Sequence, residues 1–331
     1  MNNQERLKAL FNGEKIDRLP VIEWASWWDI TTNNWKKEDP SCPLDQQQLF
    51  NYFGLDCHYQ YWVNLNDGHL PQPEWHGAPL INNETDFESI LPHLFSKQSI
   101  KNLRKWLICL KSKHDNGEAI VWFSLEGFFW FPRTLFGIEN HLYAFYDYPE
   151  LMHEINTRLV KYYKEVINTI YEILTPDFMS FAEDMSYNHG PMISKNLYNE
   201  FMAPYYKQII PLIKQHGTKV LIDTDGDVEP LIPWFKEVGI DGVLPLERQA
   251  GVDVNRIREK YPDWIMMGGY DKTIMCKGEI AMREEFERIL PAMKSGKYIP
   301  SVDHQTPPDV SLENYKEYVK LLKEYAIKAC M

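Results

Sequence analysis

The chain has 331 residues, of which 44% are hydrophobic, long enough to bury a large core and as compatible with one closed α/β barrel as with two smaller domains. Its formal net charge of -12, from 47 acidic against 35 basic residues, argues against duplex nucleic acid as a partner, because phosphate binding needs a basic stripe that displaces counterions. No apolar run approaches the roughly 18 to 20 residues of a membrane span, and residues 1–17 lack the apolar centre of a signal peptide, so a cytoplasmic protein without membrane association is expected.

In chain order, short β-rich runs are expected at residues 19–24, more weakly at 58–63, then at 119–125, 178–183, 219–223, 242–246, 264–268 and 298–302. Eight such runs separated by amphipathic helical stretches are what a closed parallel barrel requires. The fold expected is therefore α/β, a single (β/α)₈ barrel over residues 1–331, with the Asn-, Gln-, Pro- and Trp-rich stretch 31–118 read as an insertion or lid over the barrel mouth. Asp147 and Pro149 open a long helix whose apolar positions Leu151, Ile155, Leu159, Tyr163, Val166, Ile167 and Ile170 recur at helical spacing, and Thr175-Pro176 stops it. Ser194, Asp253 and Ser311 read as N-caps of later helices. Cys42, Cys57, Cys109, Cys276 and Cys330 show no Cys-x-x-Cys spacing and are odd in number, so reduced, mostly structural thiols are expected.

In such a barrel the chemistry gathers at the C-terminal ends of the strands. Those ends read Glu23-Trp24, Glu126 with Phe128, Phe129 and Trp130, Glu183-Asp184, Asp223-Thr224-Asp225, Glu247, Tyr270-Asp271 and Asp303-His304. Carboxylates crowded around one mouth raise each other's pKa unless a cation compensates. Asp223 and Asp225, two apart, can point the same way, and His304 on the last strand could close a divalent metal site, zinc foremost, from across the barrel. The competing reading is that these acids cap helices and pair with Arg133, Arg248 and Lys272.

Several stretches resemble the uroporphyrinogen decarboxylase superfamily along nearly the whole chain: RLKALFNGEKIDRLP at 6–20, EDMSYNHGPMIS at 183–194, LIDTDGDVEP at 221–230, Pro245-Leu246-Glu247, Gly268-Gly269-Tyr270-Asp271 and HQTPPDVSLEN at 304–314. True decarboxylases of that family carry Arg-Gln-Ala-Gly-Arg after the first strand to hold substrate carboxylates, where this chain has Trp24-Ala25-Ser26-Trp27-Trp28-Asp29. The resemblance is then to the corrinoid-dependent methyltransferase branch, including methylcobamide:coenzyme M methyltransferases. Its zinc ligands, a His-x-Cys pair before Gly-Asp and a later Cys, correspond here to Asp223-x-Asp225 before Gly226-Asp227 and to His304.

What the resemblance implies is methyl transfer between a small substrate and the cobalt of a corrinoid carried by a separate corrinoid-binding protein. The harder oxygen and nitrogen ligands suit polarisation of an oxygen atom rather than a thiol, so an O-methylated substrate, such as a methoxylated aromatic compound, and an O-demethylase reaction are expected. Glu247 could add a fourth ligand, and Glu183 or Asp184 could donate a proton to the leaving oxygen. Trp24, Trp27, Trp122, Phe129, Trp130 and Tyr270 would form the substrate wall, although core packing is the ordinary fate of any one of them. Two other readings stay open: a decarboxylase or lyase acting on another acid, which needs a cationic pocket drawn from Arg133, Arg248 and Lys272, and a protein that binds a corrinoid or an aromatic compound without turnover.

Overall fold

A computed structural model describes residues 1–25 and 27–331; Ser26, within the Trp24–Asp29 motif, lies outside the described residues. The strands are β1 (His58–Trp62), β2 (Ile120–Glu126), β3 (Phe178–Ala182), β4 (Ser186–Tyr187), β5 (Gly190–Pro191), β6 (Lys219–Asp223), β7 (Gly242–Leu244), β8 (Ile265–Tyr270) and β9 (Tyr298–Val302). Among the described residues, β1, β2, β3, β6, β7, β8 and β9 form one sheet in that order, every pairing parallel, while β4 and β5 make a small antiparallel hairpin beyond β3. With helices in every crossover, this is the mixed α/β architecture of a (β/α)₈ barrel.

The eighth place is taken differently from the expectation. Residues 19–24 were expected to be a strand, yet they bridge β9 and β1 without joining the ladder. The Val21 carbonyl accepts from Asp56 N at 2.9 Å, and the Val21 amide donates to the Asp56 carboxylate at 2.9 Å. Arg18 grips that carboxylate with both terminal nitrogens, at 2.6 and 2.8 Å. On the β9 side the Trp24 indole N–H donates to the Val302 carbonyl at 2.8 Å, while on the β1 side the His58 ring meets the Glu23 carbonyl at 2.9 Å. Side chains thus satisfy backbone groups that a ladder would have paired.

The long helix runs from Pro149, its first residue, to Tyr171, and all seven apolar positions expected to face inward are buried. It ends four residues before Thr175, because Ile173 and Leu174 both turn their amides back to the Ile170 carbonyl. Ser194, Asp253 and Ser311 each cap a helix, accepting from Leu197, from Asn255 and Arg256, and from Asn314. Residues 31–118, expected as an insertion or lid, contain β1 and the helix Lys97–Asp115, which packs Leu103, Leu107 and Leu110 inward and so belongs to the barrel's own βα succession. None of the helices is long and apolar enough to cross a membrane, among the described residues.

The barrel interior is layered. Toward the N-terminal ends, Trp122 stacks on Phe178 with ring centroids 4.6 Å apart, and Phe11 from the helix Asn3–Asn12 meets Phe178 edge-on at 6.0 Å. Above lies a polar layer in which Gln60 donates to Ser124 and Ser124 shares a 2.8 Å bond with Ser180. Each such buried ring is worth ~1.5–3 kcal/mol in apolar burial, so the lower interior is filled by packed side chains while the acids of the mouth lie at the strand C-termini.

Candidate active site

Three strand ends supply a group of side chains that converges at the barrel mouth. Asp225 follows β6, Glu247 follows β7 and His304 follows β9, and one ligand atom from each lies within 4.8 Å of the others. His304 Nε2 is 3.6 Å from Asp225 Oδ2. Ions bonded at about 2 Å to several side chains hold those ligand atoms somewhat closer than this, so small side-chain rotations would complete the shell. All three residues are half-buried. Asp223 stands apart from this set: it takes its place in the barrel wall beside Asp184 and Asp225, whose carboxylates together with burial push its own pKa far above the usual range, burial being the larger effect.

The backbone is tied into the same cluster. Gly226 N donates to Glu247 Oε2 at 2.9 Å, and Asp225 N donates to Asp184 Oδ1 at 3.3 Å. Thr224, buried below, accepts from Met185 N at 3.1 Å and sends its own amide to the Leu244 carbonyl. Asp184 and Leu246 both have positive φ, +35° and +67°, a conformation that side-chain-bearing residues adopt at an energetic cost and that gathers at functional sites. The chain between β7 and β8 is equally constrained, since a side chain at Gly268 would lie 1.9 Å from the Pro245 carbonyl oxygen.

Electrostatics at the mouth follow from that crowding. Burial, then the Asp184 and Glu247 carboxylates, push the Asp225 carboxyl up to about 7, with Lys272 pulling the other way. Burial also raises Asp184, and burial followed by Lys272 lowers His304. A lowered imidazole is neutral and able to ligate, and a set of acids held partly protonated gains by taking up a cation. Lys272 reaches to 3.6 Å from buried Asp303, which also accepts the amides of Arg248 and Lys272 at 3.0 and 3.1 Å. Burial raises Asp303 to about 6. The donor set, two carboxylates and an imidazole, therefore fits a divalent ion of the zinc type.

Glu183 does something other than face the mouth. Its carboxylate is fully buried and accepts from Phe128 N at 3.0 Å, Phe129 N at 3.0 Å and Trp130 N at 2.9 Å, and from the Tyr206 hydroxyl. Burial raises it to about 7 while these four donors hold it down. It fixes the turn after β2, and the neighbouring Gly127 has no room for a side chain, whose first carbon would sit 2.0 Å from Glu183 Oε2. Asp184, one residue on, is the acid that turns toward Asp225.

The expected aromatic wall largely dissolves into core. Trp27 sits in a buried cluster with Trp35, Phe50, Phe53 and Tyr315. Trp122 lies in the lower barrel, Phe129 packs against His141 and Phe145, and Tyr270 packs between Phe286 and Tyr318. All four are buried and present no surface to a substrate. Trp24 and Trp130 remain half-buried, with the Arg133 guanidinium 5.1 Å from the Trp130 ring and donating to the Asp184 carbonyl at 3.1 Å. Arg248 is occupied elsewhere, by the Val252 carbonyl at 3.1 Å. Residue type alone gave no sign of these orientations; the Asp184 and Leu246 backbone and the Gly226 amide became visible as site elements only in three dimensions.

The family model described as uroporphyrinogen decarboxylase (URO-D) matches residues 79–325. Curated relatives include the uroporphyrinogen decarboxylase of Hydrogenobaculum sp. (strain Y04AAS1), 25% identical over 188 residues, covering 54% of this chain and 48% of that protein. That of Campylobacter jejuni (strain 81-176) is 26% identical over 191 residues, covering 55% and 52%. The match thus spans about half the length of each relative. Among solved structures, a methyltransferase from Methanosarcina mazei superposes with a TM-score of 0.68 at 14% identity over 98% of this chain and 99% of its own, a likeness of fold.

Proposed function

From the chain's membership of the uroporphyrinogen decarboxylase family and the convergence of Asp225, Glu247 and His304 at its barrel mouth, we propose that it is a methyltransferase that moves a methyl group between a small O-methylated compound, such as a methoxylated aromatic, and the cobalt of a corrinoid on a partner protein. The observation that carries this reading is the close approach of two carboxylates and one imidazole from three strand ends. A divalent ion held there would supply Lewis acidity toward the substrate oxygen. The corrinoid would supply the cobalt, and the barrel would orient the substrate.

In this reading the chain's own residues divide the remaining work. Trp24 and Trp130 flank the substrate's apolar body. Asp184, raised by burial, holds the proton that the leaving oxygen takes up as its bond to the methyl carbon breaks. Lys272 and Asp303 anchor the loops after β8 and β9, keeping His304 in place. Glu183 stays outside the chemistry and keeps the turn that carries Trp130 rigid.

A second reading, decarboxylation of another acid, draws support from the names of the curated relatives. Against it stand the acids that dominate the mouth, with Arg133 and Lys272 as the cations nearest to them. The experiment that separates the readings incubates zinc-loaded protein with free cob(I)alamin and 2-methoxyphenol, and in parallel with uroporphyrinogen. Methyl transfer changes the visible spectrum of the cobalamin in the wild type and not in Asp225→Ala or His304→Ala. An unchanged spectrum across a panel of methoxyarenes, with uroporphyrinogen consumed, overturns the proposal; neither reaction would leave a binding protein.

A further inference from the structure

Between β1 and the helix Lys97–Asp115 the chain makes a long excursion that is clasped at its base. Asn66 and Leu94 form an isolated antiparallel bridge, and Asp67 N donates to the His93 carbonyl at 3.0 Å. This clasp sets Asp67 and His69 of the outgoing limb beside His93 of the returning one. The two oxygens of Asp67 are divided between the rings: Oδ1 is 3.2 Å from His69 Nδ1, and Oδ2 is 3.1 Å from His93 Nδ1. The carboxylate is itself aimed by the backbone, since His69 N donates to Oδ1 at 2.9 Å. The imidazoles stand 5.9 Å apart, tilted by 37°.

We propose that Asp67, His69 and His93 form a second divalent-metal site, of the zinc type, that clips the two limbs of this excursion together. One ligand atom from each residue lies within 4.8 Å of the other two. Two imidazoles and one carboxylate select zinc, nickel or copper over magnesium and calcium, which prefer all-oxygen shells. The side chains of Asp67, His93 and His69 are 32%, 40% and 75% exposed, which leaves the outer coordination positions to water. The site shares no residue with the cluster at the barrel mouth, so it stands whether or not the methyl-transfer reading does.

An ion here cross-links positions 26 residues apart, which lowers the entropy of the open loop and steadies its limbs. Those limbs matter to the barrel. Asn66, Gly68, Leu70 and Leu94 line a cavity of about 260 Å³ together with Glu126 at the end of β2 and Phe131.

The test is a cobalt(II) titration of the full-length protein, followed by visible absorption, on the wild type, His69→Gln/His93→Gln and Asp225→Ala/His304→Ala. The proposal expects the wild type to bind one more ion per chain than the His69→Gln/His93→Gln variant, and expects the Asp225→Ala/His304→Ala variant to keep the contribution from this loop. It also expects zinc to slow proteolytic cleavage between residues 68 and 92 in the wild type and not in His69→Gln/His93→Gln. Both histidines are exposed, and an unchanged far-ultraviolet circular dichroism spectrum confirms that the variant folds. Equal cobalt stoichiometry in the wild type and a folded His69→Gln/His93→Gln variant overturns the proposal.

Discussion

His304 Nε2 and Asp225 Oδ2 lie 3.6 Å apart although one follows the last strand and the other follows β6, and Glu247 between them in the strand order completes the group. If this trio binds an ion, Asp225→Ala and His304→Ala each lose it, with affinity falling by more than the ~10–100-fold that loss of a mere supporting partner costs. Isothermal titration with zinc, run in a His69→Gln/His93→Gln background where the loop cluster cannot contribute, measures this directly. Wild-type affinity in both variants would remove the mouth as a metal site.

Glu183 makes a separate prediction about stability. Replacing Gly127 by Ala forces a carbon into the space of the Glu183 carboxylate, and the turn must shift; a loss of about 3 kcal/mol, the upper end for overpacking, is expected. Glu183→Ala strands three backbone donors, at about 1–3 kcal/mol for each one left without a partner. Urea denaturation reads both, and a change below half a kilocalorie in either would show that the turn is not held in this way.

Glu23 gives a pH signature. It is buried, accepts from Ser301 at 2.6 Å and Tyr315 at 3.0 Å, and burial raises its pKa to about 8. The folded state therefore keeps this proton where the unfolded chain, titrating near 4.5, has released it. Stability from this group is full below about 4.5 and declines as pH rises toward about 8, with a slope approaching ~1.4 kcal/mol per pH unit. Glu23→Gln removes that slope, so the variant gains on the wild type as pH rises across this window. A constant difference between the two proteins from pH 5 to 8 would contradict the assignment.

The buried aromatics separate packing from substrate contact. Trp27→Ala is expected to cost about 3–5 kcal/mol, because it empties the centre of a five-ring cluster. Tyr270 has a buried hydroxyl without a hydrogen-bond partner among the described residues, so Tyr270→Phe is expected to be neutral or stabilising, by up to about 1 kcal/mol. Thermal unfolding of both variants checks the pair. A Tyr270→Phe protein that unfolds several degrees lower would reveal a partner for that hydroxyl.

The legible part of this chain was its periodicity. β6 and β9 have the bounds expected from sequence, and the three caps and the long helix's buried face follow from local rules that tertiary structure did not override. Residues 19–24 have the composition of a strand but pair through Asp56, His58 and the Trp24 indole, which no alternation pattern encodes. Site residues were legible as strand ends and illegible as directions. Adjacent Glu183 and Asp184 look alike in sequence, yet one is sealed among amide donors and the other, past a backbone of φ +35°, faces Asp225.

The indole of Trp24 and the carbonyl of Val302 are separated by 278 positions along the chain. Until β9 has been synthesised and has docked, residues 19–24 lack their partner on that flank, and the ring stays unsealed there. Such distant contacts are entropically late to form, so the seam between these two segments is where a nascent or heat-stressed molecule should first come apart, exposing the apolar edge of its sheet to neighbouring chains.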